Sequence, residues 1–407
     1  MLGLRRYAAV WRVPGGPVLL VFGLLARLGI AMTPLGMLLL IQQATGRYAT
    51  AALAGAVYSL AFAAVSPAVG RFADRIGPAP ILLASVAAHP VGLAALILVT
   101  RAPDPSLAWI VGTSALGGAT YPPLVAALRG VWSGLTEPDG DHAHLRDAAL
   151  AAETALYQCV FVVGPLLVAI LAAIASPAAV IAVSAAVTVL GTVVLARGRA
   201  MRVRPRPLVA RADGPGPLRT GGFPAMLFCA AGLGVCFGAT SVTVPAYATA
   251  HGGESGALAA LLVAVLGAGS VLGGVLYGAR EARAPLSRQF PWLLAAIAAS
   301  YTAYAFMPEP AALAVALLLG GALVAPVLTV ENSLVGRMVP PRVRTEAYTW
   351  VVMVEVTAAA GGIQAAGLIV DRPGGVPWSF VFAGSAVAVA AVVAARPTGS
   401  IARAAAL

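Results

Sequence analysis

Residues 49–100 read ATAALAGAVYSLAFAAVSPAVGRFADRIGPAPILLASVAAHPVGLAALILVT, two long apolar runs joined by Gly70-Arg71-Phe72-Ala73-Asp74-Arg75-Ile76-Gly77. Each run holds about 20 residues with no Asp, Glu, Lys or Arg, the length that crosses the hydrocarbon core of a bilayer as an α-helix. The charged octet between them belongs in water. The stretch therefore reads as two membrane spans and the short loop that turns one into the other.

The same unit repeats along the chain. Runs long enough to span lie near 17–41, 49–69, 79–100, 107–128, 149–173, 177–196, 223–247, 257–279, 291–307, 311–335, 347–370 and 376–395. The expected fold class is an all-α integral membrane protein with twelve transmembrane helices in two similar six-helix bundles. Composition supports this. Of 407 residues, 60% are hydrophobic and 10% charged, against about 45–50% and about 25% in soluble domains. A soluble chain of this length could not hide so much apolar surface, whereas a bilayer takes it up.

The net charge is +11, and every positive residue is arginine. A strongly basic chain can signal nucleic acid, but these arginines sit in short loops between apolar runs, so no nucleic-acid partner is expected. With the N-terminus placed in the cytoplasm, the inside segments hold 22 arginines and the outside loops three, Arg47, Arg101 and Arg372. That bias orients the chain with both termini cytoplasmic and requires an even number of spans. The basic start, MLGLRRYAAVWR, precedes a run too long for a signal-peptide core and reads as an uncleaved first helix. The expected location is the inner (plasma) membrane, as a multi-pass protein and a monomer.

Residues 197–222, rich in Arg, Pro and Gly, divide the spans six and six. They are read as a cytoplasmic linker between an N-terminal bundle, 1–196, and a C-terminal bundle, 223–407. An internal repeat agrees. Arg146 and Arg344 introduce the fifth and eleventh spans, and Gly164 and Gly362 follow them, both pairs offset by 198 residues. Arg129 and Arg337 end the fourth and tenth spans. Repeated halves with a site at their junction are a feature of transporters.

The octet Gly70 to Gly77 resembles the G-x-[LF]-A-D-R-x-G loop of the major facilitator superfamily, in the loop between helices two and three where that family carries it. With the six-plus-six layout the resemblance covers essentially the whole chain. It is nearest to twelve-helix bacterial exporters of drugs and metabolites. Pro78-Ala79-Pro80 stand where the family continues with basic residues, and Gly274 to Arg280, the second-half counterpart, lacks the Asp. The resemblance implies that Asp74 lies beside the positive N-terminus of the eleventh helix, near Thr345, and stabilises the outward-open state. Arg71 and Arg75 would complete the charge network, and Gly70 and Gly77 would permit the tight turn. Gly164-Pro165 resembles the end of the antiporter motif of drug exporters, although Val168 and Ala169 replace its glycines. A plain helix kink is the other reading.

Ionisable groups inside a bilayer cost about 2.5–3.5 kcal/mol each and are functional candidates by default. Four such residues stand out. Arg27 lies about 15 Å into the first run at 1.5 Å per residue. Glu355 is similarly deep in the eleventh, and Glu153 and Glu331 lie nearer the cytoplasmic ends of the fifth and tenth. Glu355 is the leading candidate for proton coupling or for pairing with a cationic substrate. Arg27 either binds an anionic group or neutralises Glu153. Glu331 and Asn332 either line the inner cavity or make a structural contact, for Glu331 with Arg337. Gln158 and Gln364 offer neutral hydrogen bonds or helix packing. Tyr58, Tyr121, Tyr157 and Trp350 are candidate aromatic contacts, and Trp109 and Trp378 interfacial anchors.

Other signals are discounted. Asp141-His142-Ala143-His144 reads as a solvated loop rather than a metal site. Cys159, Cys229 and Cys236 form no disulfide framework. There is no GxxxxGK[ST] loop for ATP and no catalytic constellation, so neither an enzyme nor a cofactor is expected. The expected function is a secondary active transporter with a small-molecule substrate and protons as partners, exporting lipophilic or cationic molecules by alternating access. Uptake of a nutrient or anionic metabolite through Arg27 is one alternative, and a non-transporting receptor or scaffold is another.

Overall fold

The computed structural model describes residues 10–11, 13–136, 145–202, 217–252, 256–278, 285–340 and 344–396. Among these the chain is helical, with no strand. The first half contributes α1 (Gly16–Thr45), α2 (Tyr48–Ile76), α3 (Pro78–Val99), α4 (Leu107–Ala119), α5 (Leu124–Leu135), α6 (Arg146–Ile174) and α7 (Pro177–Arg197). The second contributes α8 (Phe223–Ala250), α9 (Ala257–Gly278), α10 (Leu286–Tyr304), α11 (Pro310–Gly321), α12 (Val324–Met338), α13 (Arg344–Val370) and α14 (Gly375–Ala395). Nine helical stretches among the described residues are long and apolar enough to cross a bilayer. Taking α4 with α5 and α11 with α12 as single broken spans gives twelve. Most of the 197–222 linker and all of the Asp141–His144 loop lie outside the described residues.

Two expected spans are not continuous helices. The fourth breaks between Ala119 and Leu124, where Pro122 and Pro123 lack the N–H groups that would bond back to Gly118 and Ala119. The tenth breaks at Ala322 and Leu323, and Pro326 likewise leaves the Ala322 carbonyl without its helical donor. The ninth starts at Leu286, five residues before the run predicted from 291, because Pro291 sits within a helix rather than at its start. Elsewhere local chemistry sets the boundaries as expected. Between α6 and α7, Ser176 accepts a hydrogen bond from the Ala179 N–H at 3.3 Å and Pro177 opens the next helix, a cap that lets the chain reverse in two residues.

The chain forms two compact units, one of residues 1–40 and 57–209 and one of residues 41–56 and 210–407. In the first, α3 packs on α4 and α7, and α5 packs on α6. Leu19, Leu20, Leu82, Leu124, Leu128 and Trp132 form a core there. In the second, α8 packs on α13 and α14, α10 on α14, and α9 on α11. Lipid tails are as apolar as leucine, so burial alone does not bring spanning helices together; close van der Waals approach does, and small residues permit it.

The repeated glycines are where that approach happens. A Cβ on Gly164 of α6 would lie 2.7 Å from the Ala31 methyl on α1, and one on Gly362 of α13 would strike the Val235 carbonyl on α8. The 198-residue repeat thus places a glycine at equivalent helix crossings in the two units. Hydroxyl pairs repeat as well: Thr33 and Ser184 lie 2.7 Å apart in the first unit, Thr243 and Ser379 2.6 Å apart in the second. Gly269 and Gly273 of α9 lie against the Leu318 and Ala322 carbonyls.

Candidate functional site

The first unit holds a buried ion pair. Arg27 on α1 is 2% exposed, and its Nη2 donates to Oε1 of Glu153 on α6, which is 3% exposed. Tyr157 follows Glu153 by four residues and so shares its helix face. Its ring centre lies 5.6 Å from the Arg27 guanidinium carbon, so α6 supplies both a counter-ion and an aromatic face. Leu19, Leu20, Leu24, Leu128, Trp132 and Leu156 wall the space beside the pair and leave about 10 Å³ for the centre of a water molecule. That is room for about one water. An anion binding at Arg27 would have to displace this charge-assisted bond.

A polar ladder lies nearby in the same unit. Tyr58 on α2 lies near Thr33, whose hydroxyl is 2.7 Å from that of Ser184. Tyr121, which precedes α5, is 6% exposed and meets the rings of His89 and Phe62 edge-on at 5.2 and 5.7 Å. Its hydroxyl and that of Thr188 have no hydrogen-bond partner among the described residues. His89 is fully buried, with Nδ1 2.9 Å from the Gly117 carbonyl oxygen. It is a fifth ionisable residue inside the spans, and its signal in the sequence is plain: a histidine in the middle of an apolar run. These groups form a cluster of polar side chains within the spans of the first unit.

The second unit holds two carboxyls. Gly234 of α8 lies against the backbone of Glu355, so α8 and α13 cross closely there. The Glu355 side chain lies close to that of Glu331 on α12, which is 1% exposed and whose Oε1 has no hydrogen-bond partner among the described residues. Glu331 therefore meets another carboxyl rather than Arg337, and the Cys229 thiol lies near it. Two negative charges held this close repel, so the arrangement suits a proton or a cation between the two side chains. The only ion pair among the described residues is that of Arg27 with Glu153, which leaves the two carboxyls with no basic partner there.

The remaining candidates are less directed. Asn332 is exposed, and its Nδ2 donates to the Leu328 carbonyl at 2.8 Å within its own helix. Gln364 has a buried Oε1 with no partner among the described residues. The side chain of Gln158 lies outside the description. Among the described residues no group of three or more His, Cys, Asp or Glu is placed to hold a metal ion.

The family model of the major facilitator superfamily matches residues 19–310. The chain belongs to the major facilitator superfamily. It is accordingly a multi-pass membrane transporter. Solved structures with the same fold include the nucleoside transporter NupG, with a TM-score of 0.71 at 12% identity over 93% of this chain and 98% of that one. A bacterial homologue of the iron transporter ferroportin matches with a TM-score of 0.71 at 15% identity over 97% and 99%. A peptide transporter of the POT type matches with a TM-score of 0.71 at 14% identity over 96% and 96%. Identities this low show the fold and no more. No curated protein sequence matches this chain.

Within this superfamily fold, the octet expected to form a loop is largely helix. Gly70, Arg71, Asp74 and Arg75 lie in the last turns of α2, and only Gly77 leaves it, at φ +94° with its N–H bonded to the Ala73 carbonyl at 2.9 Å. That φ is one that side-chain-bearing residues rarely adopt, which explains a glycine at this one turn. The side chains of Arg71, Asp74 and Arg75 lie outside the description. Helix α13 starts at Arg344, one residue before the predicted Thr345. Pro165 is internal to α6, one residue after the Gly164 crossing.

Proposed function

We propose that this transporter exports small lipophilic or cationic molecules in exchange for protons. The two six-helix bundles, 1–196 and 223–407, joined by the linker 197–222, would alternate access to the substrate. The observation that carries this reading is the proximity of the buried Glu331 to the half-buried Glu355. A carboxyl pair without a basic partner among the described residues suits either a proton or a cation, and an exchanger needs a site where one replaces the other. Glu355 is the coupling residue in this reading, with Glu331 sharing its proton. Arg27 and Glu153 are structural, and Tyr58, Tyr121, Tyr157 and Trp350 are apolar contacts for the cargo. Asp74, with Arg71 and Arg75, sets the balance between states, as the family resemblance implies. The 22-to-3 distribution of arginines supports an orientation with both termini in the cytoplasm of a cell whose inner membrane holds the protein.

The test uses inverted membrane vesicles and a fluorescent lipophilic cation. Energised vesicles with the wild-type chain should accumulate it, and an uncoupler should abolish accumulation. Glu355→Gln should lower the initial rate at least about tenfold, the size of effect expected when an interaction worth about 1.4 kcal/mol or more is lost. Accumulation that is insensitive to the uncoupler and unchanged in Glu355→Gln would refute proton coupling at this site. Uptake of an anionic metabolite at Arg27 is disfavoured by the Glu153 already bound there, and the direction of labelled-substrate flux separates the two readings.

A further inference from the structure

The first turn of α2 has its helical donors satisfied from a distant part of the chain. A helix leaves its first four N–H groups without intrahelical partners. At the start of α2, Tyr48 N–H donates to Oδ1 of Asp371 at 2.9 Å and Ala49 N–H donates to Oδ2 at 2.9 Å. Asp371 stands directly after the last turn of α13, more than 320 residues away in sequence. The Tyr48 hydroxyl lies 2.8 Å from the Thr249 hydroxyl and donates to the Pro245 carbonyl at 3.3 Å, both on α8. A Cβ on Gly367 would lie 2.5 Å from the Ala52 methyl and 3.1 Å from the Tyr48 carbonyl oxygen.

These contacts explain why residues 41–56 pack with the second unit while the rest of α1 and α2 belongs to the first. The tip presents small residues, Ala49, Ala51, Ala52 and Ala54, all buried. Small residues permit close seating but give no directional hold. Direction comes from the carboxylate. It accepts two N–H bonds in a fork and places a negative charge at the positive end of the α2 dipole. Asp371 is exposed, so water can take over its bonds when they open, and the contact is reversible. This is the chemistry that the family resemblance assigns to Asp74 on α13, here made by a different residue at the other end of both helices.

We propose that Asp371 is a latch: its carboxylate on the N-terminus of α2 holds the 41–56 tip on the ends of α8 and α13, and opening of that contact releases the tip. Asp371 is thus a positioning residue for the conformational cycle, independent of which cargo or ion is carried. The sequence alone shows it only as one acid beside Arg372 in a short loop.

The test reads opening of the tip directly. The purified full chain in detergent carries serines at Cys159, Cys229 and Cys236, and a single cysteine from Ala51→Cys, at a position 1% exposed. Its reaction rate with a polar maleimide measures how often the tip lifts. Asp371→Ala should raise that rate roughly two- to thirtyfold, the range corresponding to loss of a helix cap. Asp371→Asn, which keeps an acceptor oxygen but no charge, should fall between, and Asp371→Glu should restore most of the wild-type rate. The same variants are measured with the cysteine moved to Ile181, which is fully buried in the first unit. An unchanged rate at position 51 in Asp371→Ala would overturn the latch. An equal rise at positions 51 and 181 would overturn it too, by showing that Asp371 only supports the fold as a whole.

Discussion

Removing the Glu153 carboxylate should destabilise the first unit far more than removing both members of its ion pair. The structure sets the magnitude. In Glu153→Gln the side chain keeps its volume but loses its charge, and the Arg27 guanidinium stays 2% exposed. Its Nε already has no partner among the described residues, and the adjoining space of about 10 Å³ admits about one water. The cation cannot rehydrate in place. Tyr157 retains about 0.5–2 kcal/mol of cation–π attraction, well short of the charge lost. Leaving one partner of a buried pair uncompensated costs about 3–5 kcal/mol, whereas replacing both with apolar residues of similar size is often neutral or stabilising by about 1–4 kcal/mol. The double variant Arg27→Met/Glu153→Leu should therefore recover most of what Glu153→Gln loses. Thermal melting of the purified protein, read as the surviving monodisperse fraction, checks this. At about 2–4 °C per kcal/mol for a chain portion of this size, Glu153→Gln should melt about 6 °C or more below wild type, with the double variant within about 3 °C of it. Glu153→Gln melting with wild type while transport fails would refute the structural assignment and return Arg27 to substrate binding. A double variant as unstable as the single would show that packing, not charge compensation, governs the site.

Three other predictions rest on separate features. Gly362→Ala should cost more than Gly164→Ala, because the new methyl meets the Val235 backbone in the first and only the Ala31 methyl in the second; overpacking of about 1–3 kcal/mol should appear as a lower monodisperse yield. Thr33→Val and Thr243→Val should each shift stability by only about 0.6 kcal/mol, since hydroxyls in a membrane find other partners once released, and a melting shift as large as that of Glu153→Gln would contradict this. Cys229 and Cys236 are fully buried and Cys159 half-buried, so at most one thiol per chain should react with a maleimide before unfolding and all three after it, counted by intact mass.

Membrane spans are legible one segment at a time. A bilayer forces each crossing to satisfy its own backbone, so about 20 apolar residues announce a helix whatever surrounds them. The lengths of the runs, the turn at Gly77 and the equivalence of Gly164 with Gly362 followed from the sequence for that reason. Where two prolines or a Gly-Gly with a following proline interrupt a run, hydropathy remains high while the hydrogen-bond ladder fails; the breaks in the fourth and tenth spans were invisible to a reading based on apolarity. His89 was a failure of a different kind, present in the sequence as an ionisable residue in an apolar run and passed over.

Residue types and depths were thus set by the sequence: a cation in α1, acids in α6, α12 and α13, and a superfamily octet after the second span. Partners were not. Arg27 could serve Glu153 or a ligand, and Glu331 could serve Arg337 or a cavity; only the packing brought Arg27 to Glu153 and Glu331 to Glu355. Asp371 had no candidate role until the fold put it on the first N–H groups of α2. The reason is one of range. Lipid acts on each helix separately and writes its demand into every run, whereas a hydrogen bond or charge pair depends on which faces of distant helices meet, and that choice is made by the close contacts of small residues across the whole assembled unit.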